Sequence, residues 1–290
     1  MSINQNINSI INNIDIKQNK KNILILSGGS FKGFAYIGVL KALKKLNLLN
    51  DLNIFIGTSV GSIFSLLLSL NSCIEEIEEF INKINFNQLM NFNIKNLYCN
   101  YGLNDCSTII NLLISFLNKK NFNQNLTFKE LYERTNNILI INSSNITKKI
   151  NEVFDYLLTP DMEILKVVRM SISVPFIFSP VKFNNCLYVD GGIINSFMYI
   201  WAIKNRYKKD NIIGVLLNDK INKNQNYNFY SYLMDIYYSL YSNQTEELNL
   251  NEIINIEIDN CSISKTNISD IEKNKMIELG FNKTIEYFKN

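Results

Sequence analysis

A serine at position 59 lies in a setting that favours nucleophilic chemistry. Ser59 is the central residue of Gly57-Thr58-Ser59-Val60-Gly61, a Gly-x-Ser-x-Gly motif between a predicted strand, Asn53 to Ile56, and a predicted helix, Val60 to Leu70. In a nucleophile elbow the serine occupies a strained strand-to-helix turn, and the glycines two positions away, Gly57 and Gly61, let the backbone reverse. The pattern predicts Ser59 as a nucleophile at the carboxyl edge of a sheet.

The chain contains no histidine, which is the usual general base for such a serine. This excludes Ser-His-Asp and Cys-His schemes within the chain, and metal sites that need histidine. Asp190 ends the predicted strand Leu187 to Asp190 and is the simplest replacement base. An ordinary Asp has a pKa of about 3.9, so it would need burial to act near neutral pH. Gly191 and Gly192 permit a tight turn toward the elbow, although Asp-Gly-Gly alone is more often an ordinary turn.

A second glycine-rich loop lies between another predicted strand and helix. Its sequence is Gly28-Gly29-Ser30-Phe31-Lys32-Gly33. Consecutive backbone N–H groups in such a loop can bind a phosphate or form an oxyanion hole. The phosphate-loop motif is not met, because Lys32 precedes Gly33 and no Ser or Thr follows. The oxyanion hole, with donors around Gly29 and Ser30, is therefore the favoured interpretation over a nucleotide site or an unliganded loop.

The elements that must hold these residues follow an alternating order. Ile23 to Leu26 and Phe34 to Leu49 form one strand-loop-helix unit, and the elbow forms the next, which predicts a parallel sheet covered by helices. The other predicted helices are Ile74 to Ile84, a helix capped by Asp105 through Asn118, a helix capped by Asp161 to about Ser171, Phe229 to Asn243, and Asp270 to Phe288. The other predicted strands are Ile138 to Asn142, Ile212 to Leu217 and Ile253 to Ile258. Lys220 to Asn228 is predicted as a polar loop, and Asn85 to Tyr101 as a surface excursion that could form a lid or a rim for substrate access.

The first 22 residues are predicted as an amphipathic extension to a single domain that spans residues 23–290. Isoleucines at positions 3, 7, 10, 11 and 14 share one helical face. The face either packs on its own domain or lies on anionic lipid with Lys17, Lys20 and Lys21.

Composition limits the partners and the compartment. Among 290 residues, 29 Lys and Arg against 26 Asp and Glu give a net charge of +3, without a basic run that could follow a phosphate backbone, so nucleic acid is not an expected partner. Five scattered cysteines without a Cys-x-x-Cys pair indicate a reducing, intracellular compartment. Neither a secretory signal nor a membrane-spanning stretch is recognisable, so we expect a cytoplasmic protein that can lie on membranes.

Taken together, the three motifs resemble those of the patatin-like phospholipase family. They occur in the family's order, from Ile23 to about Asn195, and this motif-bearing part also contains Arg169 to Pro175, which is similar to the family. The resemblance implies a three-layer α/β/α sandwich with a mainly parallel sheet. It also implies a Ser59–Asp190 dyad, an oxyanion hole in the glycine loop, and hydrolysis of fatty-acyl esters of phospholipids at a membrane surface without a metal or organic cofactor.

Two departures and three alternatives accompany the resemblance. Ser30 stands where the family more often has a third glycine, and Asn195 is followed by Ser196-Phe197 where Asn-x-Pro is frequent, so we expect an altered loop with activity retained. Lys32 matches a basic position of the family and could equally be a surface lysine. The same dyad could serve an acyltransferase or a neutral-lipid hydrolase, and a catalytically silent lipid-binding scaffold is the non-enzyme alternative. No host activator and no oligomeric state are predicted.

Overall fold

An eight-stranded sheet forms the centre of the computed structural model, which describes residues 21–84, 94–220, 232, 236, 239, 248–259 and 268–289. The strands of the chain are β1 Ile23–Leu26, β2 Ile54–Gly57, β3 Gly102–Asn104, β4 Ile138–Asn145, β5 Ile150–Phe154, β6 Phe176–Phe178, β7 Val181–Phe183, β8 Cys186–Val189, β9 Ile212–Lys220 and β10 Ile254–Asp259. The central sheet has the order β10-β9-β1-β2-β4-β8-β7, with β5 also paired to β4, and β3 and β6 form a separate pair. Strands β10, β9, β1, β2 and β4 are parallel, which confirms the predicted α/β fold.

Helices cover both faces of this sheet. They are α1 Phe34–Lys45, α2 Val60–Ser69, α3 Ile74–Lys83, α4 Ile94–Asn100, α5 Ser107–Lys119, α6 Phe128–Thr135, α7 Ile164–Ser171, α8 Tyr199–Lys204 and α9 Asp270–Tyr287. Side chains alternate along β1: Leu24 and Leu26 join the larger core with α1 and α2, whereas Ile23 and Ile25 join a smaller core with α8. The two cores on opposite faces give the three-layer architecture expected from the sequence.

The ends of β2 and β8 meet along one side of β4. Ile141 pairs with Gly57 of β2 and with Phe154 of β5, so these two strands flank β4 on opposite sides. Farther along β4, Ser144 pairs with Val189 of β8 while β5 still occupies the other side. Strand β8 therefore pairs antiparallel with β4 on the side where β2 has ended, at the carboxyl edge of the sheet. The chain that follows β2 and the chain that follows β8 must face each other there.

Several predicted element bounds need correction. The first helix ends at Lys45, not Leu49, because Asn47 has a φ of 57° that is incompatible with a continuing helix. Asp161 is not the N-cap residue of α7; Glu163 holds that position without a side-chain capping bond, because residues 127 and 163 form a β-bridge that keeps the preceding chain extended. Asp105 accepts the Ser107 N–H at 3.0 Å, but Cys106 is the N-cap residue of α5.

Other predictions lie at the borders of the described residues. Most of the N-terminal extension falls outside them, and its Lys21 donates to the Ile212 carbonyl oxygen at 3.1 Å. Residues 85–93 of the predicted excursion also fall outside. Lys220 belongs to β9, whereas the rest of the predicted polar loop is not among the described residues. Of the predicted helix Phe229 to Asn243, only residues 232, 236 and 239 are described, and they are helical. Within the described part of the chain, no helix has both the length and the apolar character that a bilayer span requires.

Candidate active site

The elbow holds Ser59 in a left-handed backbone conformation at the start of α2. Ser59 has φ 53° and ψ −124° and is only 6% exposed. A Cβ at Gly61 would lie 2.3 Å from the Leu26 carbonyl oxygen, and one at Gly57 would lie 2.4 Å from the Gly61 carbonyl oxygen. Both positions therefore exclude any side chain, as the motif predicts. The close approach lets the chain reverse and presents the Ser59 hydroxyl at the carboxyl edge.

Ser59 and Asp190 meet at this edge. The Ser59 Oγ donates to the Asp190 Oδ2 at 2.6 Å. The other carboxylate oxygen, Oδ1, accepts the Gly192 N–H at 2.8 Å, and the Asp190 N–H donates to the Ser173 carbonyl oxygen at 2.8 Å. Asp190 is fully buried. The carboxylate is thus oriented by backbone groups, with one oxygen directed at the serine, and its burial meets the condition set by the sequence argument.

The glycine loop forms a short 3₁₀ turn, Ser30–Gly33, beside the elbow. Gly33 abuts the residue after the nucleophile, since a Cβ there would lie 2.5 Å from the Val60 Cγ2. Ser30 has φ 51°, so the serine adopts the left-handed conformation that a glycine would adopt more easily. The family's third glycine is thus replaced without losing the turn.

The backbone donors of this loop are not equivalent. The Gly28 N–H donates to the Ser196 carbonyl oxygen at 2.9 Å, and the Lys32 N–H to the Gly29 carbonyl oxygen at 3.0 Å. Within the described part of the chain, the N–H groups of Gly29 and Ser30 make no hydrogen bond. Two adjacent donors are therefore available to an external oxygen, and they are the two that the sequence argument favoured within the wider loop, Gly28 to Gly33.

Lys32 is not a surface lysine. Its Nζ lies 2.7 Å from the Asp219 Oδ2, and the two side chains are 7% and 26% exposed. Asp219 belongs to β9, so the ion pair fastens the glycine loop to the neighbouring strand. An ion pair with one buried member needs this kind of partner, because an unpaired buried charge is costly.

Two side chains that the sequence analysis did not single out support the site. Asn142 is fully buried; it accepts the Thr58 hydroxyl at 2.7 Å through Oδ1 and donates to the Asn195 carbonyl oxygen at 2.8 Å through Nδ2. Ser171, at the end of α7, accepts the Ser59 N–H at 2.9 Å. Asn142 ends the predicted strand Ile138 to Asn142, and a polar residue next to such an apolar run was the signal in the sequence that could have indicated a supporting role.

Cys106 is a second potential nucleophile near Asp190. Burial raises the pKa of its thiol to about 12, and the negative charges of Asp105 and Asp190 act in the same direction, against the Arg169 charge. The thiol therefore stays protonated at neutral pH and is a poor nucleophile. The Ser59 hydroxyl, by contrast, donates directly to the Asp190 carboxylate.

A family model and several known proteins are similar to much of this chain. A family model described as patatin-like phospholipase matches residues 24–200. Probable lipid hydrolase 463L of Invertebrate iridescent virus 6 is 39% identical over 202 residues, which are 66% of this chain and 68% of that protein. Uncharacterized protein R571 of Acanthamoeba polyphaga mimivirus is 34% identical over 174 residues, 58% of this chain and 57% of its own.

Two solved structures share the fold. VipD from Legionella pneumophila aligns with a TM-score of 0.63 at 17% identity, over 93% of this chain and 67% of VipD. The type III effector ExoU aligns with a TM-score of 0.52 at 13% identity, over 93% of this chain and 53% of ExoU. The likeness extends over nearly the whole chain, although the chain spans only about half of ExoU.

Proposed function

Because this chain belongs to the patatin-like phospholipase family, we propose that it is a phospholipase of the A type in which Ser59 is the nucleophile and Asp190 the general base. Its family and its likeness to a named lipid hydrolase support lipid hydrolase activity. The finer assignment depends on one observation, the 2.6 Å hydrogen bond from the Ser59 Oγ to the Asp190 Oδ2 at a strained, buried turn.

In the proposed first half-reaction, Asp190 accepts the Ser59 proton as Oγ attacks the ester carbonyl carbon. The resulting oxyanion is stabilised by the N–H groups of Gly29 and Ser30, each worth about 3 kcal/mol in the transition state. When the tetrahedral intermediate collapses, the ester C–O bond breaks and the proton passes from Asp190 to the leaving lysophospholipid oxygen. An acyl group remains on Ser59.

In the second half-reaction, Asp190 takes a proton from water as the water oxygen attacks the acyl carbon. Collapse breaks the bond to the Ser59 Oγ, which regains a proton, and the fatty acid leaves. The buried carboxylate thus alternates between base and acid. The backbone bonds from Gly192 to its Oδ1 and from its own N–H to Ser173 keep it aligned in both steps.

Fatty-acid release from mixed phospholipid vesicles tests the proposal. Ser59→Ala and Asp190→Asn should each lower turnover by about 10³-fold or more with a nearly unchanged Tm, because each removes a group that acts in the transition state. Ser115→Ala and Asp161→Asn remove the same groups from exposed sites and should keep full turnover. Unaltered release by Ser59→Ala, or loss of activity only through unfolding, would contradict the dyad.

Labelling with a serine-reactive phosphonate identifies the nucleophile independently of the lipid chosen. Wild-type protein should be labelled at Ser59, and Ser59→Ala should not. Phospholipids with distinguishable acyl chains then report which ester is cleaved. Transfer of the acyl group to an added lysolipid without release of fatty acid would replace the hydrolase with an acyltransferase.

A further inference from the structure

Three exposed aromatic residues lie in adjoining elements that the proposed chemistry does not use. Tyr98, Tyr101 and Phe176 are 82%, 66% and 53% exposed. Tyr98 lies in α4, Tyr101 directly precedes β3, and Gly102 of β3 pairs with Phe176 of β6, so the three residues belong to adjoining elements. We call them the aromatic rim. Large apolar groups grouped in this way on a surface are typical of an interaction site.

Two residues of the aromatic rim have unfavourable backbone dihedral angles. Residues Val174 to Ile177 form a turn closed by the Ile177 N–H and the Val174 carbonyl oxygen at 3.2 Å, with Pro175 second and Phe176 third. Phe176 has φ 68° and Tyr101 has φ 58°. A positive φ at the third position of a Pro-containing turn favours glycine. Because both aromatic side chains are exposed, packing offsets little of the strain of a positive φ. Strained residues of this kind concentrate at functional sites.

The rim is rigidly attached beside the candidate active site. The Ser173 carbonyl oxygen accepts the Asp190 N–H, and three residues of chain span at most about 10 Å, so the Phe176 backbone lies within that distance of Ser173. Arg169 donates to the Ser179 carbonyl oxygen at 2.7 Å and to the Asp105 carbonyl oxygen at 3.0 Å, which ties both strands of the β3–β6 pair to α7. Helix α7 also carries Ser171, the partner of the Ser59 N–H.

We propose that the aromatic rim docks the protein on a phospholipid bilayer and thereby places the site against its substrate. Two tyrosines and a phenylalanine combine apolar rings with hydroxyl tips, the chemistry that suits the boundary between headgroups and acyl chains. Continuity with a site for an ester of an amphiphile favours lipid over a protein partner. The inference rests on the proposed function for the identity of the substrate, but the binding surface can be tested without turnover.

Vesicle flotation with the Ser59→Ala protein measures binding in the absence of hydrolysis. In that background, Tyr101→Gly with Phe176→Gly should weaken binding to vesicles of phosphatidylcholine and phosphatidylglycerol by about tenfold or more, because the bilayer no longer buries two aromatic rings. Glycine suits both backbone conformations, so the Tm should stay the same or rise. The matched control is Leu157→Ser with Leu158→Ser. These two leucines are 72% and 63% exposed, and they follow the end of β5 that points away from the site. This control should bind as the parent does.

The same substitutions in the Ser59-containing protein separate docking from chemistry. Hydrolysis of vesicle phospholipid should fall about tenfold, whereas hydrolysis of a short, water-soluble ester should be unchanged. Undiminished vesicle binding would overturn the rim proposal while leaving the dyad intact. So would a change from dimer to monomer in light scattering with vesicle binding retained, because the rim would then join two copies. If wild-type protein bound vesicles through the aromatic rim but hydrolysed no ester, the docking proposal would be supported and the proposed function would be contradicted.

Discussion

The turns that carry Ser59 and Asp190 are held by different means. The elbow depends on backbone packing, with Gly61 against the Leu26 carbonyl and Gly57 against Gly61 itself. The aspartate turn has one such contact, since a Cβ at Gly191 would lie 2.7 Å from the Asn142 carbonyl oxygen. Hydrogen bonds supply its other constraints, and they include a side chain of β4: the Ser144 Oγ donates to the Gly191 carbonyl oxygen at 3.2 Å and accepts the Ile194 N–H at 3.1 Å.

This difference has a consequence for how each half of the site can fail. The elbow lies between two core elements, β2 and α2, so a side chain added at Gly57 or Gly61 must disturb the fold. The aspartate turn lies at the end of a short antiparallel strand and is positioned by polar groups, so a change there should affect alignment before stability. Asn142 belongs to both, since it binds Thr58 on one side and the Asn195 carbonyl on the other.

The largest expected effect comes from breaking the elbow. Gly61→Ala places a methyl group 2.3 Å from a backbone carbonyl oxygen that cannot move aside, so we expect a loss of about 3 kcal/mol or more in the free energy of unfolding. Denaturant unfolding followed by circular dichroism measures it. Gly214→Ala is the matched control, because its nearest neighbours are side-chain atoms at 3.0 Å, and it should cost about 1 kcal/mol. Equal costs at the two positions would remove the special status of the elbow.

Removing the residue that joins the two turns should have the next largest effect. Asn142→Ala removes the acceptor of the Thr58 hydroxyl and the 2.8 Å donor to the Asn195 carbonyl oxygen, and leaves these two groups only their own 3.5 Å contact. This should cost about 2 kcal/mol in stability and lower kcat about tenfold with little change in KM. The control, Asn151→Ala, removes a neighbour outside both turns that accepts the Asn142 Nδ2 at 2.8 Å and donates to the Met198 Sδ at 3.6 Å. If the two variants had equal kcat, Asn142 would be a structural residue without a positioning role.

The Lys32–Asp219 pair tests whether the glycine loop behaves like the elbow or like the aspartate turn. Lys32→Met should cost about 1–2 kcal/mol, because one member of the pair is buried and the other is partly exposed. It should also lower kcat, since the loop carries the Gly29 and Ser30 donors. The control, Lys83→Met, breaks an exposed pair with Glu79 and should leave both quantities unchanged. Lowered stability with unaltered kcat would place the pair in the fold alone.

The sequence predicted the elbow side better than the aspartate side, and the reason is physical. Strands β1 and β2, the turns after them and the helices that follow are encoded by contiguous residues, so apolar spacing and glycine positions were sufficient. The location of Asp190 opposite Ser59 depends on β8 pairing with Ser144 and Asn145 of β4, a contact between distant segments that local patterns do not report. The same reason explains why β3, β5, β6 and β7 were not predicted.

Individual residues show the same limit. Asp161 has the type of a helix cap, but the bridge between Thr127 and Glu163 moves the start of α7 to Ile164. Lys32 was ambiguous because its partner, Asp219, lies 187 residues away. Asn142 could be recognised as a buried polar residue, but its role depends on two turns that only the folded chain brings together. The chemical roles of Ser59, Asp190 and the glycine loop remain predictions of this structure and sequence.

The smallest expected effect concerns the buried surroundings of Asp190, which Cys106 shares. Burial raises the pKa of the Cys106 thiol to about 12, so Cys106 in the folded protein should not react with a thiol reagent at pH 8. The exposed Cys73 and Cys99 should react. Mass spectrometry of the alkylated protein distinguishes these sites, and unfolding in denaturant should make Cys106 reactive. The raised pKa of the Cys106 thiol also makes the stability of the folded state depend on pH. The folded state keeps a proton that the unfolded state loses above its ordinary thiol pKa, so this contribution is complete at neutral pH and is lost as the pH rises toward 12. Rapid labelling of Cys106 in the folded state would show that water reaches the aspartate side, and the contrast between a dry, polar-bonded turn and a packed elbow would then fail.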